Sequence, residues 1–238
     1  MKLLHKIFLL VGWLCCIGST AVAQERKVQH KPFIDERRFH YGFTIGFHDQ
    51  SLGLQNNGFI HPETGEQWMA VNDRHGLGFS VGVLGEWKLH KYFSVRLVPS
   101  LHFGSKHITL RELGTGKEES QDMKSTYVAV PFDVKISAPR FNNYRPYVMA
   151  GVSPMYDLTV GKHTKLRTKP FNIALEVGLG CDCYLPFFKL IPELKFCFGL
   201  GNVLNKKRTD LTDPTQLIYT ESVEKATMNM VVLSFYFE

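Results

Sequence analysis

The chain has 238 residues, of which 44% are hydrophobic and 21% charged, with a formal net charge of +6. That is material for a sizeable core in one large or two small domains. The basic excess is mild and scattered, which argues against a nucleic-acid surface. Beyond the N-terminus, no apolar run approaches the roughly 20 residues of a spanning helix.

Residues 1–23 read MKLLHKIFLLVGWLCCIGSTAVA. Lys2 and Lys6 precede an apolar run over 7–17, and Ala21-Val22-Ala23 places small residues at −3 and −1 of a cleavage site. This is the pattern of a cleaved signal peptide, with the exported chain starting near Gln24. Cys15 and Cys16 each lack a small residue directly before them, so a lipoprotein signal is discounted. Removal of this segment takes away Lys2 and Lys6 and no acidic residue, lowering the formal charge from +6 to +4. Cys181, Cys183 and Cys197 remain, an odd number that offers no complete disulfide framework, and free thiols are expected.

Residues 24–38, QERKVQHKPFIDERR, are polar and contain Pro32; they are expected to form a short periplasmic lead-in. FHYGFTIGFH, residues 39–48, follows. Its Phe39, Tyr41, Phe43, Ile45 and Phe47 alternate with His40, Gly42, Thr44, Gly46 and His48, which predicts a strand with one aromatic face and one small, polar face. A long polar loop is expected over 49–76. Residues 77–89 alternate again, and two residues later 92–103 repeats the pattern with Phe93, Val95, Leu97, Pro99, Leu101 and Phe103 on one face. A second long loop is expected over 104–124. Strands at 126–136, 144–156, 171–184, 190–199 and 227–238 complete the set, with long loops at 157–169 and 201–224 and short turns at 137–143 and 185–188. Pro192 inside the seventh strand suggests a bulge or the strand's first turn. No helix is expected.

Eight strands of about ten residues, with connections alternately long and short, predict an all-β, eight-stranded antiparallel up-and-down transmembrane β-barrel over 39–238. An even strand number puts both termini on the periplasmic side of an outer membrane. The alternative is a soluble barrel or sandwich, in which alternation is equally expected. Soluble barrels place Lys, Glu or Asp on the outer face, whereas the non-aromatic face here is rich in Gly and Ser.

With the strands so oriented, Glu86, Arg96, Asp133, Lys135, Asp182, Glu193 and Lys195 fall in the periplasmic half of the lumen, and Glu176 lies nearer the middle. Charges crowded into so small a barrel are expected to pair, because an unpaired buried charge is costly. The expectation is a charge-plugged, non-conducting lumen. Its upper half is left mostly with Gly, Ser, Asn and His. His40, His48, Ser80, Ser100 and His102 contain the groups of a hydrolytic site, but no compact motif joins them, and no enzymatic activity or cofactor is expected. His61, Glu63, Glu66, Asp73 and His75 in the first loop match no standard metal spacing. Lys206-Lys207-Arg208 offers a contact to lipopolysaccharide phosphates.

Within 124–158, a strand ending in Pro plus an apolar run, Pro131 and Phe132, leads by a short turn to R-P-Y-x-x-A-G, carried by Arg145, Pro146, Tyr147, Ala150 and Gly151. Within 190–205, P-E-L-x-F-x-x-G-L-x-N-x-L is carried by Pro192, Glu193, Leu194, Phe196, Gly199, Leu200, Asn202 and Leu204. These two segments resemble the PorT family of outer-membrane barrels, and the resemblance spans roughly residue 39 to the end. It implies a non-enzymatic component or assembly factor of the type IX secretion and gliding-motility apparatus, needed for export of cargo with C-terminal sorting signals. The implied partners are other secretion components, besides outer-membrane lipid and lipopolysaccharide. The alternative is a general small outer-membrane barrel with adhesive or envelope-stabilising loops; a lipid-modifying barrel enzyme is the third reading. One departure is the end of the chain, where Phe237 is followed by Glu238 instead of closing on an aromatic residue.

Overall fold

Alternating segments become β-strands because each puts its apolar side chains on one face and needs a hydrogen-bonded neighbour on either edge. The computed structural model describes residues 29–62, 64–72, 76–160, 166–206 and 217–238. The signal-peptide reading over 1–23 lies outside them. Among the described residues are eleven strands: β1 (Phe39–Asn56), β2 (Trp68–Val71), β3 (Gly76–Lys88), β4 (Phe93–Leu97), β5 (Ser100–Glu112), β6 (Glu118–Ala129), β7 (Phe132–Ser137), β8 (Tyr144–Asp157), β9 (Phe171–Tyr184), β10 (Lys189–Gly199) and β11 (Val223–Phe237).

They form eight walls. Pro99 separates β4 from β5, yet the register against β3 continues across it, with Leu97 opposite Gly85 and Ser100 opposite Gly82. Pro131 separates β6 from β7 in the same way, with Ala129 opposite Met155 and Phe132 opposite Val152 on β8. A proline removes a ladder donor without inserting a residue, so each pair remains one continuous wall. The ring runs β1, β3, β4–β5, β6–β7, β8, β9, β10, β11, and β11 pairs with β1 to close it. All of these pairings are antiparallel. β2 lies outside the ring, paired with the upper part of β5.

Pro192 behaves likewise. It is the fourth residue of β10, and Leu190 opposite Cys183 and Glu193 opposite Gly180 keep one register on both sides of it. The bulge or first turn expected there is absent; only ladder bonds to β9 are missing.

Two expected loops are largely strand. β1 continues to Asn56, and 104–124 is a hairpin in which β5 and β6 are joined by residues 113–117. The reason is a change of face. Up to Phe47 the apolar side chains of β1 point outward and are exposed, but farther on Leu52 is buried inside while Ser51, Gly53 and Gln55 point outward. On β5, Leu101 and Phe103 point outward, whereas Ile108 and Leu110 are buried and Arg111 is exposed. On β11, Val231 and Leu233 are outside, and Met228 and Ala226 are inside. The sheet stays continuous while its apolar face moves from the outer to the inner side. That inversion marks where lipid ends, because only lipid makes an exposed aromatic face favourable. From Phe39 to Phe47 the apolar outer face of β1 is about nine residues long, the length a tilted strand needs to cross.

Beyond the inversion, the strand extensions and loops fold into an apolar cluster that continues into the barrel interior through Met155, Ala174, Cys197 and Val232. Leu52, Trp68, Ile108, Leu110, Leu166, Val203, Leu204, Ile218 and Val223 are buried in it. A short helix, α1 (Leu217–Glu221), supplies Ile218 and sets Tyr219 edge-on to Trp68 at 5.0 Å. The chain therefore does contain helix: α1 here, and a 3-10 turn at Ile34–Glu36 in the lead-in.

Candidate functional site: the barrel lumen

The inward face of the turn-end half carries the charge. Arg96 on β4 donates from Nε to Glu86 on β3 and from Nη1 to Glu193 on β10, both at 2.7 Å. Glu193 also accepts from Tyr147 Oη at 2.6 Å and Tyr236 Oη at 2.8 Å, and Glu86 accepts from Ser94 Oγ at 2.7 Å. Lys135 reaches both oxygens of Asp182 at 2.9 Å and lies 3.4 Å from Glu86. Lys195 lies 3.1 Å from Glu176, 3.7 Å from Asp133 and 3.7 Å from Glu193. The structure thus brings all eight charged residues singled out from the sequence into one connected group, and every one is buried.

The group is larger than those eight. Lys189 lies 3.7 Å from Asp182 and donates to Glu238 at 2.8 Å, and Glu238 is in turn bonded to His40 Nδ1. Lys189 shares the inward phase of Glu193 and Lys195, a signal readable once the strand is started one residue earlier. Glu238 shares the phase of Tyr236, so the non-aromatic chain end is a lumen residue held by Lys189. Six carboxylates face four cations, Arg96, Lys135, Lys189 and Lys195. The carboxylate excess is met by neutral donors, Ser94, Tyr147 and Tyr236. The cations are also stacked: the Arg96 guanidinium lies 4.7 Å from the Tyr147 ring centre and Lys135 Nζ 4.2 Å.

The lead-in closes the turn end. Asp35 accepts from Tyr184 Oη at 2.6 Å and lies 3.4 Å from Arg140 and 3.5 Å from Arg145. Lys88 Nζ donates to the Asp35 carbonyl, and His40 Nε2 is 3.2 Å from the Arg37 carbonyl oxygen. The described part of the lead-in is thus fastened beneath the barrel. At the other end the apolar cluster fills the upper lumen with hydrophobic side chains besides the Ser, Asn and His expected there, next to a cavity of about 200 Å³ lined by Lys106, Asp157 and Thr168 among others. Between the two lies a cavity of about 20 Å³ lined by Thr44, Ser80, Ser100, His102, Glu176 and Lys195, among others, room for about one water.

The hydrolytic candidates lie in this middle layer, except His40. Ser100 Oγ is 3.0 Å from His102 Nε2, and His102 is edge-on to His48 at 5.2 Å. Gln50 Nε2 donates to His48 Nε2 at 2.7 Å. His102 Nδ1 has no hydrogen-bond partner, so the carboxylate that orients the base in a triad is not in place. The His61 ring Nδ1 lies 3.3 Å from Thr64 N and 3.2 Å from Thr64 Oγ1, and Glu66 accepts from Trp68 Nε1 at 3.1 Å; Glu63, Asp73 and His75 lie outside the described residues. Among the described residues no group of three or more His, Cys, Asp or Glu gathers to hold a metal. Lys206 is exposed, and Lys207 and Arg208 lie outside the described residues. Cys181 and Cys183 face outward two residues apart, Cys197 faces the lumen, and all three are free.

The outer membrane protein beta-barrel domain is the family whose model matches the sequence, over residues 22–205. No curated protein matches it. Among solved structures, Neisserial surface protein A is 11% identical, with 84% of this chain and 96% of that chain covered and a TM-score of 0.41. The outer membrane protein OprG from Pseudomonas aeruginosa is 12% identical, with 84% and 92% covered and a TM-score of 0.42. At such scores these likenesses add nothing to the family match.

Proposed function

The chain belongs to the outer membrane protein beta-barrel domain family, and from this and the filled lumen we propose a small, sealed barrel that acts through its surfaces, as a general envelope component. The observation that carries this reading is the Arg96–Glu193 pair, which spans the lumen from wall to wall. Above it the middle of the lumen offers space for about one water, and the apolar cluster packs the loop end beside a second cavity of about 200 Å³ lined by Lys106, Asp157 and Thr168 among others. A route for solute would need both layers taken apart. In this reading the turn end and both termini face the periplasm, and the loop end faces outward among lipopolysaccharide. The lumen histidines and serines serve packing and hydrogen bonding, not catalysis. Liposome swelling tests the proposal. Vesicles holding the refolded protein should take up arabinose no faster than empty vesicles, and rapid uptake would reject a sealed lumen.

The narrower reading, a type IX secretion component, rests on the resemblance over 190–205. The residues of that segment have work within the chain. Glu193 is the hub of the lumen network. Phe196 faces lipid. Gly199 meets the Met228 backbone so closely that an added Cβ would stand 2.5 Å from its carbonyl oxygen. Asn202 Oδ1 accepts from Leu204 N at 3.0 Å and Ala226 N at 3.1 Å, and Leu204 is buried in the loop-end cluster. These roles favour the general reading. Deleting the gene separates the two: loss of export of signal-bearing cargo would support the secretion role, and unchanged export would remove it.

A further inference from the structure

The turn end carries a group of cations that the lumen does not use. The lead-in, the β3–β4 turn and the β7–β8 turn lie side by side there, stapled by two arginines. Arg145 donates from Nε to the Ala138 carbonyl at 3.0 Å and from Nη2 to the Lys91 carbonyl. Arg140 donates to Asn142 O at 2.8 Å and to the carbonyls of His30 and Lys31, and its guanidinium lies 3.6 Å from the Tyr184 ring centre. His30 N donates to Asn143 Oδ1 at 2.9 Å. These bonds use Asp35, Arg140 and Arg145 internally and fix the three segments against one another.

What they leave at the surface is Arg37, Arg38 and Lys91, all exposed and in no ion pair with an acidic residue among the described residues; the exposed Glu36 beside Arg37 offsets part of this charge and still leaves a cation excess. Just inward of them is a band of rings. Phe39 stacks on Trp87 at 5.9 Å, Lys91 Nζ lies 5.5 Å from the Tyr92 ring centre, and Phe93, Phe141 and Tyr144 are exposed. Cations directly outward of interfacial aromatics stand at headgroup depth. The β9–β10 turn, residues 185–188, is different: it exposes Phe187 and Phe188, and Lys189 beside it is buried in the lumen. The charge is therefore gathered in one sector and is not a uniform belt.

We propose that this sector binds anionic phospholipid, with headgroup phosphates seated on Arg37, Arg38 and Lys91. The cation excess selects an anionic headgroup over a zwitterionic one, and the stapled segments hold the site preformed. The inference rests on the reading that the turn end faces the periplasmic, phospholipid leaflet.

The test is native mass spectrometry of the mature chain released from nanodiscs of phosphatidylcholine containing one quarter phosphatidylglycerol. The wild-type protein should retain phosphatidylglycerol in preference to phosphatidylcholine, and the preference should weaken as salt is raised. The R37Q/R38Q/K91Q variant should lose it by roughly tenfold or more, while K117Q/K124Q/K225Q at the loop end should keep it. Heat-modifiable migration on gels verifies that each variant is folded. Equal retention in wild type and the turn-end variant, or no preference in the wild type, would overturn the proposal. Nanodiscs present the same lipid on both sides, so this result is independent of orientation in the cell. Orientation is read separately from an epitope inserted after Phe187. Antibody reaching it only in permeabilised cells supports a periplasmic turn end; access in intact cells would place the sector outside, and the phospholipid of the periplasmic leaflet would then be the wrong ligand.

Discussion

Arg96 and Glu193 face each other from opposite walls of the ring, β4 and β10, with Nη1 2.7 Å from the carboxylate and both side chains almost wholly buried. A contact between opposite walls closes the lumen as directly as a plug would. It also makes the pair a sensitive point, because each partner depends on the other for its burial.

Glu193→Ala should leave the Arg96 charge and the hydroxyls of Tyr147 and Tyr236 short of an acceptor, at a cost of ~3–5 kcal/mol. Arg96→Met should cost a similar amount, since it strands two carboxylates. The double variant should cost clearly less than the two singles added together. Urea unfolding in phospholipid bilayers measures all three, and strict additivity would show that the pair is not coupled.

The inversion of the apolar face sets a boundary that one strand can test. Leu101 and Ser105 both point outward from β5, below and above it. Leu101→Lys should cost ~2–4 kcal/mol, the range for a cation on the lipid face. Ser105→Lys should change stability by no more than ~0.5 kcal/mol. Comparable costs at both positions would move the membrane edge.

Leu110, fully buried in the loop-end cluster, should cost ~2–5 kcal/mol when cut to Ala. Loops freed from the cluster should become open to protease in reconstituted vesicles while the membrane part stays resistant. Equal resistance before and after would mean that the cluster does not hold the loops.

Lys106 lies beyond the inversion, outside the lipid-facing segment of β5. Burial lowers its pKa to about 8, partly opposed by Asp157, and its ammonium is bonded to Tyr127 Oη. The unfolded lysine holds its proton up to its ordinary pKa near 10.4. Between about 8 and that value the unfolded chain binds more protons, so stability should rise with pH through this window. Lys106→Met should remove the rise. A wild-type profile that is flat or falling there would contradict the burial of this amine.

The membrane segments were legible because lipid imposes a simple rule on each: Phe39 to Phe47 on β1 and Phe171 to Leu179 on β9 alternate without interruption. The extensions were not, because Leu52, Ile108 and Leu110 alternate in the opposite sense with polar outward neighbours. A reader following one apolar face sees only a polar loop beyond Phe47 or Phe103. Lys189 stands one residue before the apolar alternation of 190–198 begins, so its inward phase and its pairing with Glu238 show only in the folded strand. The docking of the lead-in left no periodic trace, since Asp35, Arg140, Arg145 and Tyr184 come together only in the folded ring.

The sealed lumen is the central claim, and single-channel recording tests it most directly. Refolded protein comprising residues 24–238 inserted into planar bilayers, with insertion verified by a co-reconstituted fluorescent label, should leave the current at baseline across the accessible voltage range. A stable, reproducible open-channel conductance would contradict the account.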